Sequence, residues 1–176
     1  MLNLEGIIME KSIQAPFSDT LVQKINELKT HFPEGKEKSA LLPALHFAQA
    51  EYGWLSPETM DQVAEIIGIK PIEVYEVATF YTMFHLKPVG KYVLEVCRTS
   101  PCCLNGAENI IQHLCKKLNI EIGETSSDGL FTVKTVECLA ACGMAPVLQI
   151  GPDYTYYENL TEEKVDHLLA DLAQGK

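Results

Sequence analysis

No run of this chain is apolar for long enough to cross a bilayer, so a membrane-spanning helix is not expected in it. Basic residues are scarce. Fourteen Lys and Arg against 24 Asp and Glu leave a formal net charge of −10, and a surface of that sign repels a phosphate backbone, which argues against nucleic-acid binding. The opening residues Met1-Leu2-Asn3-Leu4-Glu5-Gly6 lack the basic segment and small-residue cleavage site of a secretory signal. A cytosolic place is therefore expected, in solution or peripheral to the cytosolic side of a membrane, and there thiols stay reduced. No glycine-rich phosphate loop of either common form is present. No C-x-x-C pair is present either, which removes the usual motif for thiol–disulfide exchange.

What is present fits an ordinary globular protein. The 176 residues are 47% hydrophobic, enough for one domain or two small ones. Residues 1–17 show no period and end near Pro16, so a flexible arm is expected there. Ser18-Asp19 offers a cap for a helix with Leu21, Ile25, Leu28 and Phe32 on one face. A second helix is expected to open near Ser39 and to end on Gly53. Ser56-Pro57 starts a third, with Met60, Val63, Ala64 and Ile67 inward, and it stops at Gly68. Pro71 opens a fourth, with Val74, Tyr75, Ala78 and Tyr81 on its inner face. The result is a helical bundle over residues 18–88.

At Lys91 the period changes. Tyr92–Val96 reads as a strand buried on both faces, and Asn105–Glu108 opens a helix carrying Ile111, Leu114, Cys115 and Leu118 inward. Leu130–Val136 reads as a second strand. Val147–Ile150 and Tyr154–Tyr157 flank Gly151-Pro152-Asp153 as a hairpin, and Thr161 caps a last helix. Residues 89–176 thus form a small sheet with helices packed on it, and the fold class is α+β.

Cysteines concentrate the chemistry. Cys97 and Cys102 form a C-x4-C pair and Cys138 and Cys142 a C-x3-C pair, each just past an expected strand. Four thiolates cannot gather without a cation between them. Structural zinc favours tighter pairs. A [2Fe–2S] cluster takes two thiolates on each iron and is wider than one ion, so the spacing favours the cluster and leaves zinc open. Cys115 falls on an apolar helix face and reads as a core thiol. Cys103 adjoins Cys102, and only one of two neighbours readily turns toward a shared centre; Cys102 is taken as the ligand. Arg98, between two ligands, is either solvated or a positive charge that tunes the potential. The aromatic run Phe80, Tyr81 and Phe84 reads as core packing or a subunit contact.

These residues carry a likeness. Val96-Cys97-Arg98-Thr99-Ser100-Pro101-Cys102, Gly123-Glu124-Thr125, Val136-Glu137-Cys138-Leu139-Ala140-Ala141-Cys142, Ala145-Pro146 and Tyr156-Tyr157-Glu158-Asn159-Leu160-Thr161 resemble the small [2Fe–2S] subunit of NADH:quinone oxidoreductase (respiratory complex I). The helical half joins the likeness through Tyr52-Gly53-Trp54-Leu55 and Glu76–Phe84. The resemblance implies a thioredoxin-like [2Fe–2S] domain over residues 89–176, with Cys97, Cys102, Cys138 and Cys142 as ligands to one cluster. It further implies that residues 18–88 are a docking element. NADH and FMN would then bind in a partner subunit rather than in this chain. A large iron–sulfur subunit is the other expected partner. The role implied is single-electron exchange with the flavin, so that the chain is part of an oxidoreductase without making or breaking substrate bonds itself. An equivalent subunit of an NAD-linked hydrogenase or formate dehydrogenase fits the same motifs, and a zinc-stabilised interaction module is the alternative of another class. Two residues depart from the family pattern, the extra thiol of Cys103 and the charge of Arg98.

Overall fold

Ser18 begins the ordered path by turning its hydroxyl to accept the Leu21 N–H at 3.2 Å, which satisfies one of the free donors at a helix start. In this computed structural model, which describes residues 16–175, that cap opens α1 (Asp19–Lys29). A 3-10 turn over Glu37–Ala40 leads into α2 (Leu41–Tyr52), and the chain leaves α2 through Gly53 at φ 78°, a left-handed exit that costs glycine nothing. Ser56 caps α3 (Pro57–Ile67), and Lys70 precedes α4 (Pro71–Phe80). Proline enters each of α3 and α4 in its first turn, where its missing N–H has no intrahelical partner to lose. Ile25, Leu45, Leu55, Val63 and Val74 are wholly buried together and form the core of this unit.

The fourth helix is shorter than its apolar pattern suggests. Tyr81 leaves it in an extended conformation, so the period that would carry this ring inward ends one residue before it. Phe80 is left 76% exposed and Tyr81 40%, while Phe84 turns into the core. Phe17, read from sequence as the end of the arm, is buried. It stacks on Tyr52 with ring centroids 5.5 Å apart, and its N–H donates to Gln62 Oε1 at 2.8 Å. Residues 1–15 of the expected arm lie outside the described residues.

The chain divides into two compact units between Leu86 and Lys87. The second is built on β1 (Tyr92–Cys97), β2 (Phe131–Val136), β3 (Leu148–Gly151) and β4 (Thr155–Tyr157), in the sheet order β2-β1-β3-β4. β1 runs parallel to β2 and antiparallel to β3, and β4 closes the hairpin with β3. A parallel neighbour requires a crossover, and the connection from β1 to β2 supplies it through α5 (Ser100–Leu104) and α6 (Ala107–Leu118). On one sheet face Leu94, Val96, Phe131, Val133, Leu148 and Ile150 pack with Ile110, Ile111 and Leu114 of α6 and with Val165 and Leu169 of α7 (Glu162–Ala173). Together the helices and the mixed sheet make the fold α+β, as the sequence implied.

Two local features differ from expectation. α5 is an additional helix, too short to show a period, and Gly106 at φ 92° separates it from α6. Cys97 is the last residue of β1 rather than the first of the following loop.

Gly90, just before β1, admits no side chain. A Cβ there would stand 2.9 Å from backbone atoms of Leu130 and Phe131, and its N–H donates to the Thr132 hydroxyl at 2.6 Å. Gly90→Ala is expected to destabilise this unit by about 1–3 kcal/mol, the usual cost of overpacking. A denaturant titration with an unmoved midpoint would contradict that.

Candidate metal centre

The sheet register brings the cysteine pairs together. Cys97 pairs with Val136 at the ends of the parallel strands β1 and β2, so the loops that follow both strands leave from the same edge of the sheet. One loop runs into α5, whose first turn holds Cys102. The other carries Cys138 and Cys142 and passes through a 3-10 turn (Cys142–Met144) toward β3. Val147, just before β3, ties the arrangement from below. Its carbonyl accepts the Cys97 N–H at 3.1 Å, and its N–H donates to the Cys102 sulfur. Cys97, Cys102, Ala107 and Val147 form a small apolar floor with Leu139, Ala141 and Ala145 against it.

The four sulfurs associate two and two. Cys97 and Cys102 are both buried and share a thiol hydrogen bond. Cys138 and Cys142 are exposed and also bond to each other. The pairs feel one another as well, because charge on Cys97 disfavours charge on Cys142, and charge on Cys142 disfavours it on Cys102.

Their acidities diverge for physical reasons. Burial pushes the Cys97 thiol up, but the Thr99 hydroxyl at 3.2 Å, the N–H groups of Thr99 and Leu139 and the Cys102 thiol outweigh it and hold Cys97 below the ordinary thiol range. Burial and the neighbouring Cys97 push Cys102 up to about 11. Cys142 is raised, first by its hydrogen bond to Cys138 and then by the charge there. Thiols that resist ionisation beside one another accept it when a cation compensates them.

The remaining sulfurs stand apart. Cys103 is exposed, and its thiol donates to the Arg98 carbonyl oxygen at 3.1 Å. Cys115 is half-buried against the sheet core, and burial raises its thiol. Arg98 is exposed at the rim, its own N–H bonded to the Val136 carbonyl at 3.0 Å.

Sequence reasoning does not single out the groups that hold the second loop. Ala140 sits at φ 59° and donates its N–H to the Cys138 sulfur at 3.3 Å. The Tyr156 hydroxyl donates to the Leu139 carbonyl at 3.1 Å, and Asn159 N–H donates to the Met144 carbonyl at 2.8 Å. Most of these bonds use backbone groups, which carry no residue signature. The one signal is the block Tyr156–Thr161, whose polar residues follow a strand too short to need them.

Among the described residues no three His, Cys, Asp or Glu side chains gather round one ion-sized point. Tetrahedral zinc needs four donors at one point. Two thiol pairs side by side, with backbone N–H groups aimed at their sulfurs, are instead the donor set of a dinuclear iron–sulfur centre, and the residues present fit that group.

Comparisons with known proteins agree. The family model described as thioredoxin-like [2Fe-2S] ferredoxin matches residues 25–173. A small NADH-quinone oxidoreductase subunit of Rhizobium meliloti is 44% identical over 150 residues, covering 85% of this chain and 87% of that protein. An NADH-quinone oxidoreductase subunit of Thermus thermophilus is 40% identical over 160 residues, 91% of this chain and 88% of the other. Among solved structures, an NAD+-reducing [NiFe]-hydrogenase in its air-oxidized state superimposes with a TM-score of 0.67 at 22% identity, over 77% of this chain and 23% of that one. At that identity the likeness speaks for the fold alone, and the chain spans less than a quarter of the hydrogenase chain it matches.

Proposed function

Because the chain belongs to the thioredoxin-like [2Fe–2S] ferredoxin family, we propose that it is the small electron-transfer subunit of an NADH:quinone oxidoreductase, with one cluster held by Cys97, Cys102, Cys138 and Cys142. The observation that carries the ligand assignment is the pairing of those thiols at the common edge of β1 and β2. When bound, the cluster supplies reversible storage of one electron. The chain's own residues do the rest. Cys97 and Cys102 anchor it on an apolar floor away from water, and Cys138 and Cys142 face outward, toward the side from which an electron partner can approach. The N–H groups of Thr99, Leu139, Val147 and Ala140 point at the sulfurs and favour the more negative, reduced state. Four thiolates in a chain of net charge −10 oppose a further electron, so a low potential is expected.

NADH and FMN belong, in this reading, to a partner subunit, since this sequence offers no glycine-rich phosphate loop. A large iron–sulfur subunit is the second partner. The helical bundle is the docking element, and the exposure of Ile72, Phe80 and Tyr81 on and beside α4 supports that role. No helix among the described residues is long and apolar enough to cross a membrane, and a peripheral place on the cytosolic side follows from the proposed complex. The equivalent subunit of an NAD-linked hydrogenase shares the fold. Relatives of 40% and 44% identity named for NADH-quinone oxidoreductase favour the first assignment. Isolation of the complex through a tag on this chain tests it. The isolate is expected to contain FMN and to show a [2Fe–2S] signal on addition of NADH; hydrogen-evolving activity, or a colourless zinc protein without a flavoprotein partner, would overturn it.

Arg98 offers a smaller test. Its guanidinium is exposed, so its pull on an added electron is screened by water and salt. Arg98→Gln is expected to lower the midpoint potential by less than about 60 mV, the equivalent of one decade in a one-electron couple. The shift should shrink as ionic strength rises. A titration at low salt with no change would retire the tuning role.

A further inference from the structure

The second cysteine loop holds a conformation that its own residues do not favour. Ala140 has a positive φ of 59°, a region that residues with a Cβ rarely enter. The same peptide unit that joins Leu139 to Ala140 is engaged at both ends. Its carbonyl oxygen accepts the Tyr156 hydroxyl at 3.1 Å, and its N–H donates to the Cys138 sulfur at 3.3 Å. A peptide group is planar, so fixing the direction of its oxygen fixes the direction of its hydrogen. Tyr156 comes from β4, where it pairs with Gln149 of β3. Its ring is 44% exposed, so burial does not account for its place.

We propose that Tyr156 is a positioning residue for the metal centre, holding the 139–140 peptide so that its N–H stays directed at the Cys138 sulfur. The phenol also polarises the peptide it binds, because hydrogen bonds in series strengthen one another. An N–H···S bond gains strength as negative charge on the sulfur grows, so the reduced form benefits more than the oxidised form, and the potential is raised by its presence. Leu139 extends the same control to the first loop, since its N–H donates to the Cys97 sulfur. The hydroxyl of one edge-strand tyrosine thus bears on one cysteine of each pair. This inference rests on the cluster assignment above.

The test compares the cluster-loaded wild type with Tyr156→Phe and with Tyr157→Phe, whose ring packs against the sheet core instead. Y156F keeps the ring and loses only the hydroxyl. It is expected to shift the reduction equilibrium three- to tenfold toward the oxidised form, about 30–60 mV lower at 59 mV per decade. The g-values of the reduced cluster in electron paramagnetic resonance should change with it, and Y157F should match the wild type in both. A folded Y156F chain that loses iron while Y157F retains it supports the same role. A potential unchanged or raised in Y156F, with an unaltered resonance and full iron, overturns the proposal while leaving the cluster assignment intact. A wild-type chain without iron and acid-labile sulfide overturns the assignment itself, and this inference with it.

Discussion

Cys138→Ala is expected to reduce the iron content from about two per chain, as a dinuclear cluster requires, to almost none. Cys138 is the ligand least supported by packing. It is exposed, and its sulfur is held by the Cys142 thiol and the Ala140 N–H alone among the contacts described. Removing it leaves one iron with a single protein ligand. The loop from Glu137 to Ala141 contains no helix or strand, so its order depends on what the sulfurs bind, and metal-binding free energy is folding free energy there. The variant should therefore also melt earlier in this unit. Cys103→Ala and Cys115→Ala are the matched controls. The Cys103 thiol points to the Arg98 carbonyl and Cys115 packs with the core, so both should keep full iron. Iron and sulfide analysis reads the result, and a C138A chain with undiminished iron would remove Cys138 from the ligand set.

Leu94→Ala should have the largest effect on stability alone. Leu94 is wholly buried in β1, between β2 and β3, and packs in the core formed with α6 and α7. Truncation there loses its transfer free energy and leaves a cavity in the middle of the sheet, at a cost of about 2–5 kcal/mol. Leu104, exposed at the end of α5, should tolerate the same change within about 0.5 kcal/mol. Hydrogen exchange at the amides of Val133 and Ile150, strand neighbours of β1, would report the difference. Equal protection in the two variants would mean that β1 is not the centre of this core.

Much of the framework is legible from local signals that also act locally in the fold. Ser18 and Ser56-Pro57 cap helices where the sequence places them, and Gly53 and Gly68 end helices in left-handed turns. The parallel pairing of β1 with β2 is less accessible, because strand order depends on which faces meet rather than on either strand alone. That pairing is what turns two cysteine motifs 41 positions apart into neighbours, the separation being that from Cys97 to Cys138. α5 escapes notice because five residues are fewer than two helical turns. Tyr81 is misplaced by its pattern because an apolar period does not announce where a helix unwinds. Burial separates Cys102 from Cys103, but their adjacency in sequence does not. The bond between Tyr156 and Leu139 spans 17 residues and ends on a backbone carbonyl, so no pattern of side chains points to it.

The most direct measurement is electron paramagnetic resonance of the purified chain after dithionite reduction, with spins counted against protein. Four cysteines holding one [2Fe–2S] cluster predict a red-brown protein that bleaches on reduction and develops about one unpaired spin per chain. A colourless chain that contains zinc, or one that gives no signal with iron and sulfide absent, would contradict it.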